Sequence, residues 1–268
     1  MKEEGLRGRV VLVTGSGRGL GAAIARAAAA EGARVVLNCR RDGTGLEALA
    51  RELSAAGAEA LAVAADVTVF DEARQLVERT VGRWGRLDVL VNTVGGMRWK
   101  ALADLEPAEW RRLVASNLDS VFHMCRLAVP RMREQRFGRI VNLAAVGAAH
   151  TQGEPQMAAY SAAKAAVVAL SRALALEEAR RGITVNVVSP GLLDDEPGAA
   201  PPGATASPRA AAPAAPATSA LPKALEDRVP VGHAGHASDV VRAVLFFASP
   251  AAEFVTGQVI EVAGGARS

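Results

Sequence analysis

Val10-Val11-Leu12-Val13-Thr14-Gly15-Ser16-Gly17-Arg18-Gly19-Leu20-Gly21 is the stretch on which the reading of this chain turns. Its aliphatic start has the length and composition of a strand buried on both faces of a parallel sheet. A turn with a glycine at every second position follows, and helical spacing runs from Leu20 to Glu31. Glycines let the backbone turn tightly and let a phosphate approach the helix N-terminus, where free N–H groups and the helix dipole favour an anion. A glycine-rich run alone is weak evidence, since surface loops collect glycine too. Between a strand and a helix it points to dinucleotide binding, with Gly15, Arg18, Gly19, Leu20 and Gly21 against the ligand.

Outward from this unit the alternation repeats. Val10–Thr14, Ala33–Asn38, Ala58–Ala64, Leu87–Asn92, Gly138–Leu143, Thr184–Ser189 and Gln258–Val262 read as strands. Helical patterns cover Leu20–Glu31, Gly45–Ala56, Phe70–Trp84, Pro107–Gln135, Met157–Arg181 and Ser238–Ala248. Pro107 suits an early helical position, and Ser238 and Asp239 suit a cap and first turn. Such alternation implies right-handed βαβ crossovers and an α/β fold of Rossmann type: one doubly wound parallel sheet of about seven strands with helices on both faces. Residues 1–268 are expected to form a single domain. Residues 196–222, almost entirely Ala, Pro, Gly, Ser and Thr, break the pattern and read as a flexible, partly polyproline-like insert.

Of the 268 residues, half are apolar and 22% charged, which suits a compact globule. A net charge of +3, without a dense Lys/Arg run, argues against a nucleic-acid partner. Cys39 and Cys125 fit no metal spacing and are expected to be reduced and buried; no metal site is expected. No apolar leader precedes the first strand and no apolar run nears the length of a membrane span. The expectation is therefore a soluble, cytoplasmic protein with no membrane partner.

Tyr160, the single tyrosine, stands four residues before Lys164 in Ala159-Tyr160-Ser161-Ala162-Ala163-Lys164, which puts both on one helical face. A phenol with an ordinary pKa of about 10 is a poor proton shuttle at neutral pH, and a neighbouring ammonium favours its ionised form. Cofactor type follows from charge. Where an NAD enzyme carries an acid at the end of the second strand, this chain has Asn38-Cys39-Arg40-Arg41, with Arg18 in the glycine turn. Guanidinium groups there suit the 2′-phosphate of NADP(H).

Over essentially its full length the chain resembles the short-chain dehydrogenase/reductase family. The TGxxxGxG motif is Thr14-Gly15…Gly19…Gly21; Asp66-Val67 matches the acid that holds the adenine ring; Asn92-Thr93-Val94-Gly95 stands at the NNAG position with two residues changed. Asn117 matches the helix asparagine that organises a proton-relay water, Tyr160 and Lys164 the catalytic pair, and Pro190-Gly191 the turn beside the nicotinamide. The tail, with Val255-Thr256-Gly257-Gln258 and Gly264-Gly265, is equally typical. The resemblance implies Tyr160 as general acid, Lys164 lowering its pKa and binding the nicotinamide ribose, and Asn117 holding the relay. The cofactor contacts it implies are Gly15, Arg18, Gly19, Leu20, Gly21, Arg40, Asp66, Val67, Asn92, Gly95, Tyr160, Lys164, Pro190 and Gly191.

Two departures stand out. Asn142-Leu143-Ala144-Ala145 places Ala145 where the family has a serine whose hydroxyl bonds the substrate carbonyl. His150, Thr151 or Gln152 in the following loop are candidate replacements, each with a plain solvent-facing alternative. After Pro190-Gly191 the chain has Leu192-Leu193-Asp194-Asp195 in place of the usual threonine, and the Ala/Pro insert lies where the family has its substrate lid. The resemblance implies an NADPH-dependent ketoreductase of a hydrophobic or polycyclic small molecule, assembled as a homodimer or homotetramer through the helices over Pro107–Gln135 and Met157–Arg181. The alternative is a non-redox acid/base enzyme, such as a cyclase, dehydratase or isomerase, on the same fold.

Overall fold

The computed structural model describes residues 5–40, 44–193 and 229–266. Arg41, Asp194, Asp195 and the expected insert at 196–222 lie outside the described residues. Seven parallel strands form one sheet in the order β3-β2-β1-β4-β5-β6-β7. They are β1 (Val10–Val13), β2 (Arg34–Cys39), β3 (Ala60–Ala64), β4 (Val89–Asn92), β5 (Gly138–Leu143), β6 (Ile183–Pro190) and β7 (Val259–Val262). All seven expected strands are present. The helices are α1 (Gly19–Ala30), α2 (Thr44–Ala55), α3 (Phe70–Trp84), α4 (Pro107–Val114), α5 (Ser120–Gln135), α6 (Ala158–Glu178) and α7 (Ala237–Ala248).

Because side chains alternate along a strand, β1 feeds two cores. Val11 and Val13 join Ile24, Leu37, Val244 and Phe247 on the face covered by α1, α2 and α7. Val10 and Leu12 join Leu76, Met124, Ile140 and Val167 on the face covered by α3, α5 and α6. Chain order reverses between β1 and β4, the switch point where an open sheet of this kind leaves a crevice at its carboxyl edge.

Four expectations need correction. The single helix expected over Pro107–Gln135 is broken by a five-residue π-helical turn, Ala115–Asp119. Ser116, Asn117 and Ser120 bond back to the carbonyls of Leu113, Leu113 and Ser116, and such back-bonding competes with the regular ladder. The cap of α7 is His236, whose N–H is accepted by Asp239 at 2.7 Å, so Ser238 is already inside the helix. Cys125 is buried, but Cys39 is only half-buried. Finally, the segment Ala158–Arg181, α6 with its short 3-10 extension, is long and apolar enough to cross a membrane by length and composition. Its place in the core explains this: Lys164, Val167, Val168, Ser171, Ala175 and Glu178 are all buried.

Candidate active site

The β1–α1 turn is fixed at both ends. Thr14 receives a hydrogen bond from the Thr93 backbone N–H at 3.1 Å. Ser16 donates its N–H to the Asn38 carbonyl at 2.8 Å and accepts the Asn38 N–H on its hydroxyl at 2.9 Å. Gly15 lies at φ +66°, and a methyl on Gly21 would stand 2.6 Å from the Gly15 carbonyl oxygen, so both need glycine. Leu20 packs against the core, while Arg18 and Gly19 are exposed. Arg18, at the cap position of α1, makes no side-chain cap and the first turn holds no acid. By contrast α4 and α7 close their own N-termini with carboxylates, Glu109 and Asp239. The start of α1 thus keeps its N–H groups and its positive dipole end for a phosphate.

Next to it, the chain brings Arg40 and Asp66 together as an ion pair at 3.9 Å, on the carboxyl side of β2 and β3. Glu72 accepts the Asp66 N–H at 2.6 Å, and the Asp66 carboxylate accepts the Thr68 N–H at 3.0 Å and hydroxyl at 2.7 Å. The Val67 side chain is buried in the core. The Val67 N–H has no partner among the described residues.

The second cluster gathers at the carboxyl edge of β4 and β5. A methyl on Gly95 would lie 2.5 Å from Oδ1 of Asn117 and 3.3 Å from Nζ of Lys164, so both side chains converge on the Gly95 backbone. Asn117 is fully buried and donates through Nδ2 to the Gly96 carbonyl at 2.8 Å and the Leu113 carbonyl at 3.0 Å. Its Oδ1 is buried with no partner in the described structure. The π turn sets this residue at the crevice. Lys164 donates to the Leu143 carbonyl at 2.8 Å, and its Nζ lies 5.6 Å from the centre of the Tyr160 ring. Burial pulls Lys164 down to about 8 and pushes Tyr160 up to about 12. The expected lowering of the phenol by the lysine is therefore not what the protein alone shows: desolvation outweighs the ammonium, which is turned to a backbone carbonyl.

Other expected residues fall elsewhere. The Asn92 side chain is buried and donates to Asn142 at 2.8 Å, and Asn142 donates to Ser171 at 2.9 Å, so that amide braces the core below the crevice. Pro190 ends β6. Gly191 follows so close to β7 that a methyl on it would lie 2.8 Å from the Ala263 Cα. Ala145 sits just past β5, half-buried, its carbonyl accepting the Ala148 N–H at 3.1 Å. His150, Thr151 and Gln152 are exposed, and the Thr151 hydroxyl donates to the His150 carbonyl at 2.6 Å.

The sequence profile of the short chain dehydrogenase family matches residues 9–199, well over half the chain. The chain belongs to the short-chain dehydrogenase family. This short-chain dehydrogenase is 36% identical over 258 residues to the 3-oxoacyl-[acyl-carrier-protein] reductase FabG of Staphylococcus aureus, covering 95% of this chain and 96% of that one. It is 37% identical over 262 residues to a 3-oxoacyl-[acyl-carrier-protein] reductase of Synechocystis, covering 97% of each. A crystal structure of a candidate gluconate dehydrogenase from Agrobacterium tumefaciens superposes with a TM-score of 0.85 at 32% identity, covering 99% of this chain and 98% of that one. The short-chain dehydrogenase is an NAD(P)-dependent oxidoreductase acting on carbonyl or alcohol groups.

Sequence reasoning missed three parts of this site. The Leu143 carbonyl that anchors Lys164 carries no side-chain signal. Glu72, which fixes Asp66, is hidden among ordinary first-turn acids of a helix. The π turn leaves no mark because the apolar spacing runs on through it.

Proposed function

We propose that this short-chain dehydrogenase is an NADPH-dependent ketoreductase that reduces a hydrophobic carbonyl compound, with Tyr160 as its general acid. The observation that carries this reading is the convergence of Asn117 Oδ1 and Lys164 Nζ on Gly95, on the helix face shared with Tyr160. The free start of α1, the open Val67 N–H and the unpartnered Asn117 Oδ1 fit a dinucleotide with a relay water beside it. NADP(H) rather than NAD is supported by Arg18 and Arg40, and by the lack of an acid at the end of β2. The cofactor contacts are those expected from Gly15 to Gly21, with Arg40, Asp66, Val67, Gly95, Lys164, Pro190 and Gly191.

When bound, the nicotinamide supplies the hydride. The protein's own work is proton delivery and charge. The Tyr160 hydroxyl, protonated at neutral pH like any phenol and made harder to ionise by burial, donates to the carbonyl oxygen as that oxygen gains charge. Lys164, still largely charged at pH 7, favours the phenolate left behind, and Asn117 Oδ1 accepts from a water that returns the proton. Ala145 offers no hydrogen bond to the carbonyl, a loss that typically costs about 10²–10³ in rate. A hydroxyl on the substrate beside the ketone can take that place. The relatives named as 3-oxoacyl reductases support a ketone on an apolar chain as substrate.

The oligomeric reading keeps the α5 and α6 faces, where Phe122 and Leu176 are exposed, and adds Phe246 on α7, with Phe254 and Ile260 just before and within β7, as candidate contacts of a homodimer or homotetramer. Cys39 and Cys125, neither of them in a disulfide, support a cytoplasmic location.

The test is NADPH consumption against aryl ketones, polycyclic ketones and 3-oxoacyl thioesters, with Tyr160→Phe and Ala145→Ser alongside. Stoichiometric NADPH loss that Tyr160→Phe abolishes supports the reading. Turnover without NADPH loss moves the protein to acid/base chemistry, which the bare methyl of Ala145 would favour. A rate gain in Ala145→Ser shows that a carbonyl donor is absent in the native chain.

A further inference from the structure

We propose that His123 is a positioning residue for the adenine end of the dinucleotide site, holding the Asp66-Val67 turn so that the Val67 N–H and the Asp66 carboxylate face the ligand. This rests on the dinucleotide reading given above. The turn joins β3 to α3. Its first peptide, Asp66–Val67, is oriented by the Val69 N–H, which donates to the Asp66 carbonyl at 2.9 Å. In a planar trans peptide the N–H points away from the C=O, so this bond turns the Val67 N–H outward. The second peptide, Val67–Thr68, is held on both sides: its N–H donates to Oδ1 of Asp66 at 3.0 Å, and from another element Nδ1 of His123, near the start of α5, lies 3.0 Å from the Val67 carbonyl oxygen. A carbonyl only accepts, so Nδ1 carries the proton.

The imidazole is itself fixed. It meets Phe70, the first residue of α3, edge-on at 5.3 Å between ring centres and 80° between planes, and leans on Phe122 at 5.7 Å. One half-buried ring thereby grips both sides of the turn, the Val67 carbonyl and the Phe70 ring. With both peptides flanking the Val67 Cα oriented, the free N–H has one direction open to it. Loss of the ring's hydrogen bond leaves the second peptide held only through the Thr68 N–H on the Asp66 carboxylate, which widens its range of tilt and blurs that direction.

The measurement is the dissociation constant of NADPH and of reduced nicotinamide mononucleotide, which lacks the adenosine half, for the full-length native protein, His123→Phe and His123→Asn, with thermal unfolding of each. His123→Phe is expected to raise the NADPH constant about fivefold to tenfold. It should leave the mononucleotide constant and kcat at saturating NADPH unchanged. His123→Asn, whose amide nitrogen can take the Nδ1 position, is expected to recover most of the affinity. If His123→Phe does not fold, His123→Gln, with its nitrogen one bond too far out, gives the same comparison. An unchanged NADPH constant, or equal weakening of both ligands, overturns the role of His123. A native protein that binds NADPH no more tightly than the mononucleotide overturns the dinucleotide reading itself, and this proposal with it.

Discussion

The two halves of the proposed site, one for adenosine and one for catalysis, are built on different principles. Around β1, β2 and β3 most of the hydrogen bonds have a backbone group on one side: Ser16 to Asn38, Asp66 to Thr68 and Glu72, with the glycine at 15 beneath the glycine at 21. Around β4 and β5 the parts come from Gly95, Asn117, Leu143, Tyr160 and Lys164, brought together only by the finished sheet. The first half offers N–H groups and a helix dipole, which tolerate small shifts. The second depends on side-chain atoms meeting at one glycine, where a single methyl is too much.

The comparison is broken most directly at the catalytic half. Tyr160→Phe is expected to lower kcat for ketone reduction by about 10²–10⁴ while the NADPH dissociation constant holds; a parallel loss of cofactor affinity would mean the halves are not separable. Gly95→Ala is the sharper probe, since its methyl would lie 2.5 Å from Asn117 Oδ1. A fall in kcat of about 10² is expected, read by steady-state kinetics with thermal unfolding as the control for folding.

The next effect is in pH. Lys164, lowered to about 8 by burial, loses its charge as pH rises through that value, so kcat/KM for reduction should fall about tenfold by one unit above it. Stability moves the other way. Between about 8 and the ordinary 10.5 the unfolded chain binds the lysine proton and the folded one does not, so this group makes stability rise with pH across that window. Tyr160, raised from 10.0 to about 12, reverses the trend only above 10. A rate that falls while urea midpoints hold or climb separates loss of the ammonium from alkaline unfolding. The smallest expected effect lies in the adenosine half. Arg40→Ala should weaken NADPH about threefold to tenfold relative to NADH with kcat unchanged, since Arg40 is well exposed and its pairing screened. Equal loss for both cofactors would remove Arg40 from phosphate recognition.

Legibility in the sequence followed the same division. The strands were readable because parallel strands buried on both faces are near-continuous runs of Val, Leu and Ile, and the glycine turn because its function is local. The π turn at Ala115–Asp119 was not, because it depends on Asn117 reaching the Gly96 carbonyl, a partner in another segment of the chain. Asn92 matched a family motif by position, yet its amide belongs to a buried chain with Asn142 and Ser171 that only the β4–β5 register creates. The direction of the Tyr160 shift was equally hidden, since spacing of four says which groups are neighbours but not how much water they lose.

The apolar length of α6 has a consequence for the order in which the protein is made. Ala158–Arg181 is complete before β6 and β7 exist, and β6 is one of the surfaces that α6 packs against. A growing chain that has reached Arg181 therefore carries a membrane-length apolar helix with part of its cover still unsynthesised. Such a species is prone to association until the final strands dock. The apolar surface of the helix that carries Lys164 thus makes it the segment most in need of rapid completion, and truncations before Ile183 are expected to aggregate rather than persist as soluble half-sheets.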